Sequence, residues 1–180
     1  MDTNKISYWH GGAPGLSVGN EIRPAVELPK PMAYSNPEYD TDPARVYVTT
    51  DKNFAASFAS QWIDAKRLKA GGGTLYRVRP VGELEIDPDY AHVPGLAYSC
   101  SSAVIEKIEK RKIFETIELR LYAERHATWS DGRKMYDEKG YLLPSPELES
   151  KGITAAQLRA FGRLPDLNTV GAWVMKHYGV

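Results

Sequence analysis

Arg45-Val46-Tyr47-Val48-Thr49-Thr50 alternates without a break, so Val46 and Val48 share one face of a strand and Tyr47 and Thr49 the other. Asp51 follows in an N-cap position. Phe54, Phe58, Trp62 and then Ala65 or Lys66 fall three to four residues apart, which predicts a helix over Asn53 to Lys69. A strand with a polar-aromatic face thus runs straight into a helix.

On the N-terminal side, Ile6-Ser7-Tyr8-Trp9-His10 is a short β-prone run stopped by Gly11-Gly12-Ala13-Pro14-Gly15, leaving a histidine at the strand end. The proline-rich stretch from Leu16 to Asp42 reads as one long irregular loop, the kind that often serves as a lid, with Tyr34 and Tyr39 in it. On the C-terminal side Gly71-Gly72-Gly73 ends the helix, and Thr74 to Arg79 reads as a strand broken at Pro80 and Gly82. Glu83-Leu84-Glu85-Ile86-Asp87 alternates again, so Glu85 and Asp87 share a strand face. Tyr90 to Ser102 is turn-rich, Ala103 to Tyr122 reads as two strands in preference to a charged helix, and Gly140 to Pro146 is a break. Two helix-like pieces follow, Thr154 to Phe161 and Asn168 to His177.

The chain has 180 residues, enough for one domain with a real core plus an appendage. Lys and Arg number 23, as do Asp and Glu, so no cationic excess is present to coat nucleic acid. The single Cys100 cannot form an intrachain disulfide, and His10, His92, His126 and His177 are too scattered for a zinc site, so no metal is expected. With a polar N-terminus and no long apolar run, a cytoplasmic protein off the membrane is expected.

Taken singly, the chemistry-bearing residues have bland explanations. A strand-end histidine is more often a hydrogen-bonded structural residue, a strand tyrosine is more often amphipathic core, and paired strand carboxylates are usually a solvated face. Gly71-Gly72-Gly73 lacks the Lys-Ser/Thr of a phosphate loop, and no Gly-x-Gly-x-x-Gly turn opens a helix. Glu106 to Lys112 reads as a solvated charged face, and Ile153 to His177 carries too few cations for a DNA-reading helix pair.

Their order along the chain adds more. His10-Gly11-Gly12, Leu16-Ser17-Val18-Gly19-Asn20-Glu21-Ile22, Val46-Tyr47-Val48-Thr49, Ala55-Ala56-Ser57-Phe58-Ala59, Tyr76-Arg77-Val78-Arg79-Pro80-Val81-Gly82 and Glu85-Ile86-Asp87-Pro88 form a series. Over roughly residues 6 to 110 this series resembles the NAD-dependent ADP-ribosyltransferases, in particular their rifamycin ADP-ribosyltransferase-like group from actinobacteria and phages. The resemblance implies an α+β fold with a split, mostly antiparallel sheet in residues 1–125; it does not reach residues 126–180, which the two helix-like pieces mark as a helical extension. It implies that NAD is the substrate, with His10 on ribose hydroxyls and the Gly11 backbone on the nicotinamide amide beside Gly12. Tyr47 would stack on the ring, and Thr49, Phe54, Ser57 and Phe58 would line the pocket.

Breaking the nicotinamide–ribose bond builds positive charge on the sugar, so a carboxylate must stand beside it. Glu85 and Asp87 are the candidates; rifamycin-modifying members usually carry two adjacent acids where this chain has Ile86-Asp87. Glu85 is favoured because it aligns without a gap and has the longer reach. The expected activity is mono-ADP-ribosyl transfer to a host protein or nucleic acid. A rifamycin-type antibiotic as acceptor, water as acceptor, and a non-catalytic NAD-binding or partner-binding module are the alternatives.

Overall fold

The computed structural model describes residues 6–28, 42–64 and 69–179. The chain divides into two compact units, Met1–Leu119 and Arg120–Val180. Within these bounds the protein is α+β, with a seven-stranded antiparallel sheet and five α-helices.

In the first unit β1 (Tyr8–Gly12) is followed by β2 (Glu21–Ile22), β3 (Val46–Thr49) and α1 (Lys52–Gln61). A hairpin of β4 (Ile63–Asp64) and β5 (Lys69–Ala70) leads into β6 (Gly73–Val81), β7 (Glu85–Ile86), β8 (Ala97–Cys100) and β9 (Ser102–Ile113). The large sheet runs β2-β9-β6-β1-β3-β8-β7. β1 is zipped to β6 from Tyr8↔Val78 to Gly12↔Thr74 but touches β3 at a single pair, Trp9↔Thr49. The sheet is therefore close to parting between its two central strands.

Alternation sorts the side chains. Val46, Val48, Tyr76, Val78, Cys100 and Ile105 form one buried cluster with Tyr8 against it. The opposite face of β1 and β6 takes α1, whose Ala55, Ala56 and Ala59 pack with Leu75 and Ile113. Alanines on this side of α1 let the helix come close, and Gly11 completes the fit: a Cβ there would lie 1.8 Å from the Ala55 carbonyl oxygen. Asp51 caps α1 by accepting from the Asn53 and Phe54 N–H groups.

Several elements differ from the sequence expectation. The helix stops at Gln61 instead of Lys69, because Gly71, at φ 99°, donates to the Trp62 carbonyl and closes the β4–β5 hairpin. β1 runs on through both glycines to Gly12, and β6 passes through Pro80, which pairs with Ala103. β8 lies within the stretch expected to be turns. Ala103 to Tyr122 holds one long strand and then α2 (Ile117–Glu124), where the Thr116 hydroxyl accepts the Leu119 N–H. β2 and a 3-10 turn, Ala25–Glu27, occupy the start of the expected loop, and Tyr34 and Tyr39 lie outside the described residues.

The second unit carries α3 (Pro146–Ser150), α4 (Ala155–Arg159) and α5 (Leu167–Tyr178) around its own core of Tyr136, Leu142, Ile153, Leu158, Leu164, Val170 and Val174. Ser145 caps α3, which begins on the last residue of the expected break, and a Thr154–Gln157 capping box starts α4. An open depression of about 540 Å³ in this unit includes Arg133, whose guanidinium already pairs with Asp131 and Glu149.

Candidate functional site

His10 sits on the β1 face shared with Tyr8, opposite Tyr76 of β6. Its Nδ1 lies 2.8 Å from the Tyr47 carbonyl oxygen. A carbonyl only accepts, so Nδ1 carries the hydrogen and Nε2 of the neutral ring is left as an acceptor. Burial pushes the imidazole pKa down, against the opposing pull of that bond, which favours this neutral form. Nε2 lies over Gly12, where a Cβ would come within 2.7 Å of it. The two glycines after His10 thus answer different constraints: Gly11 admits the α1 backbone and Gly12 leaves room for the imidazole.

Tyr47 and Thr49 take the face away from Val46 and Val48. The Tyr47 hydroxyl accepts from the Asp42 N–H at 2.6 Å and donates to the Asp42 carbonyl at 3.3 Å. Burial first, and then the negative charges of Asp87, Asp42 and Asp89, hold that phenol above its ordinary pKa. Tyr47 pairs with Ser99 of β8, and Ser99 pairs with Glu85 of β7, so Tyr47, Ser99 and Glu85 form one row across three strands. His10 joins this row through the Tyr47 backbone, not through its ring.

The two acids of β7 and its exit differ sharply. Glu85 is half exposed and pairs with the Arg45 guanidinium at 3.1 Å. Asp87 is only 5% exposed. Its N–H donates to the Ala97 carbonyl, and its carboxylate accepts the Asp89 N–H, capping a 3-10 turn, Pro88–Tyr90. Burial, together with the Asp89 charge and against that hydrogen bond, raises its pKa to about 6. Asp87 thus combines burial, a poised pKa and proximity to Tyr47, whereas Glu85 has its charge compensated.

The expected pocket lining divides. Phe58 is 40% exposed and meets Phe54 edge-on at 5.0 Å, and Phe54 in turn meets Tyr90 at 4.9 Å. Phe54 itself is buried in a small cluster with Leu96 and Ala97. Ser57 is fully buried and its hydroxyl donates to the Phe54 carbonyl. The Thr49 hydroxyl donates to the Leu96 carbonyl at 2.7 Å and accepts the Asp51 N–H, tying the strand exit to the helix cap. Ser57 and Thr49 therefore serve the scaffold behind the site.

Arg45, Ser99 and Tyr90 were not among the expected residues. Arg45 was within reach of the alternation, standing two places before Tyr47, while Ser99 emerges only when β8 pairs with β3. Among the described residues no cluster of His, Cys, Asp and Glu could hold a metal ion, and no helix is long and apolar enough to cross a membrane. No protein-family profile matches the chain, and no curated protein matches it.

Proposed function

We propose that the first unit is an ADP-ribosyltransferase-like domain that cleaves NAD at the nicotinamide–ribose bond and passes ADP-ribose to an acceptor, a host protein or nucleic acid being favoured. The observation that carries this is the His10–Tyr47 tie, which leaves Nε2 as the acceptor nitrogen where β1 and β3 share a single register pair, with Tyr47 at the head of a strand row that ends in Glu85. The near-parting of β1 from β3 at the same place supports a cleft between them.

Each residue then has a task. Nε2 of His10 accepts a hydrogen bond from a ribose hydroxyl and so orients the sugar. The Tyr47 ring offers a face to the nicotinamide. Asp87, ionised above about pH 6, favours the positive charge that develops on the ribose carbon as nicotinamide leaves with the electron pair of the broken bond. The acceptor's nucleophile forms the new bond to that carbon and gives up its proton, for which a carboxylate of this pKa is a suitable base. Phe58 and Tyr90 supply apolar walls. Cys100, free and buried, suits a reducing compartment such as the cytoplasm.

The test is nicotinamide release from NAD by the whole protein, alone and with a bacterial lysate, against the Asp87→Asn and Glu85→Gln variants. Release that requires lysate and Asp87 supports transfer; release without lysate points to water as acceptor. NAD binding without release under any condition leaves a non-catalytic binding module, and no binding overturns the proposal.

A further inference from the structure

β7 is an edge strand of two residues, both exposed, so almost no apolar burial fixes it. What reaches across to it is Arg45, which stands at the start of β3 and is 19% exposed in its side chain. Its Nε donates to the Ser99 hydroxyl at 3.3 Å, and one terminal nitrogen reaches the Ser99 carbonyl at 3.1 Å, the Glu83 carbonyl at 3.3 Å and the Glu85 carboxylate at 3.1 Å. One planar guanidinium therefore spans from β3 over β8 to β7 and to the residue two before Glu85. Only an arginine has the donors in a fixed fork to do this.

We propose that Arg45 is the positioning residue of the acidic strand: it holds β7 in register and neutralises Glu85, so that Asp87 is presented beside Tyr47 as the one uncompensated acting carboxylate. This rests on the proposed site but makes a claim of its own, that the division of labour between the two acids is set by a side chain on a different strand. The charges that act on Asp87 and Tyr47 together are those of Asp89 and Asp42, while Glu85 stands two residues before Asp87 with the Arg45 guanidinium upon it. Of these Arg45 is the cation. Removing it leaves Glu85 as an added negative charge near Asp87, which makes Asp87 harder to ionise.

The experiment is a carboxyl-carbon NMR titration of the whole protein, with Asp87 assigned by Asp87→Asn, in wild type, Arg45→Met and the double variant Arg45→Met/Glu85→Gln. The Asp87 midpoint rises in Arg45→Met by about half a pH unit or more and returns in the double variant. A midpoint unchanged in Arg45→Met overturns the proposal. Arg45→Lys keeps the charge without the fork and covers the case in which Arg45→Met does not fold. It leaves the midpoint in place but lowers kcat for nicotinamide release about fivefold or more, with KM for NAD within about twofold. An Arg45→Lys enzyme with wild-type kcat overturns the positioning role. A shifted Asp87 midpoint in a protein that never releases nicotinamide retires the proposed function and keeps the clamp; turnover without any shift does the reverse.

Discussion

Nδ1 of His10 is 2.8 Å from the carbonyl oxygen of Tyr47, and this one bond links the end of β1 to β3 where the two strands share a single register pair. It also fixes which imidazole nitrogen faces outward. Because burial lowers the folded-state pKa, the unfolded chain binds a proton below about pH 6.5 that the folded chain does not, so this residue's contribution to stability is lost as pH falls through that value. His10→Gln is expected to lack that acid-side loss. Urea titrations of the two proteins at a series of pH values, compared as a difference, check it.

Asp87 carries the opposite sign. Its folded pKa, about 6, stands above the unfolded value, so ionising it costs stability that is absent at low pH and fully felt above about pH 6. Asp87→Asn keeps an oxygen to accept the Asp89 N–H. The variant is expected to be more stable than wild type by about 2 kcal/mol near pH 8 and equal to it near pH 4. Equal stability at both would show that the carboxyl is not held protonated by burial. Nicotinamide release by the same variant should fall about 100-fold or more.

The two glycines after His10 should respond differently to the same methyl group. Gly11→Ala drives a Cβ into the α1 backbone and is expected to cost about 3 kcal/mol, seen in the urea midpoint. Gly12→Ala meets only the edge of the His10 ring, so it should cost about 1 kcal/mol while displacing the imidazole and removing most turnover. A Gly11→Ala protein as stable as wild type would contradict the packing of α1 on β1.

Tyr47→Phe removes the hydroxyl that links to the Asp42 backbone but keeps the ring. It is expected to cost about 1 kcal/mol and to retain most nicotinamide release, whereas Tyr47→Ala loses it. An active Tyr47→Ala enzyme removes Tyr47 from the site.

In the second unit Leu158 is fully buried on a helix of five residues. So short a helix draws its stability from packing more than from propensity. Leu158→Ala is expected to cost about 3 kcal/mol by denaturant titration. A change below about 1 kcal/mol would mean that α4 does not anchor that core.

By itself the sequence determined the elements whose signal is local. Val46 to Thr49 alternates and is a strand, Asp51 caps the helix that follows, and helices stand in the two pieces expected from Thr154 to Phe161 and Asn168 to His177, because a period or a cap needs only neighbours along the chain. The alternation over Glu83 to Asp87 yields a strand only at Glu85–Ile86, and Asp87, expected on the same strand face as Glu85, caps the turn that follows. Tertiary structure decided everything that depends on partners distant in sequence. Only strand pairing brings Ser99 between Tyr47 and Glu85, only the approach of α1 makes Gly11 obligatory, and only the hairpin bond from Gly71 to Trp62 ends α1 early. The difference between the two acids belongs to the same class. In the sequence only alignment and side-chain reach favour Glu85 over Asp87, but an ion pair and a buried seat are properties of the surroundings, and those are supplied by Arg45, β8 and the Pro88–Tyr90 turn.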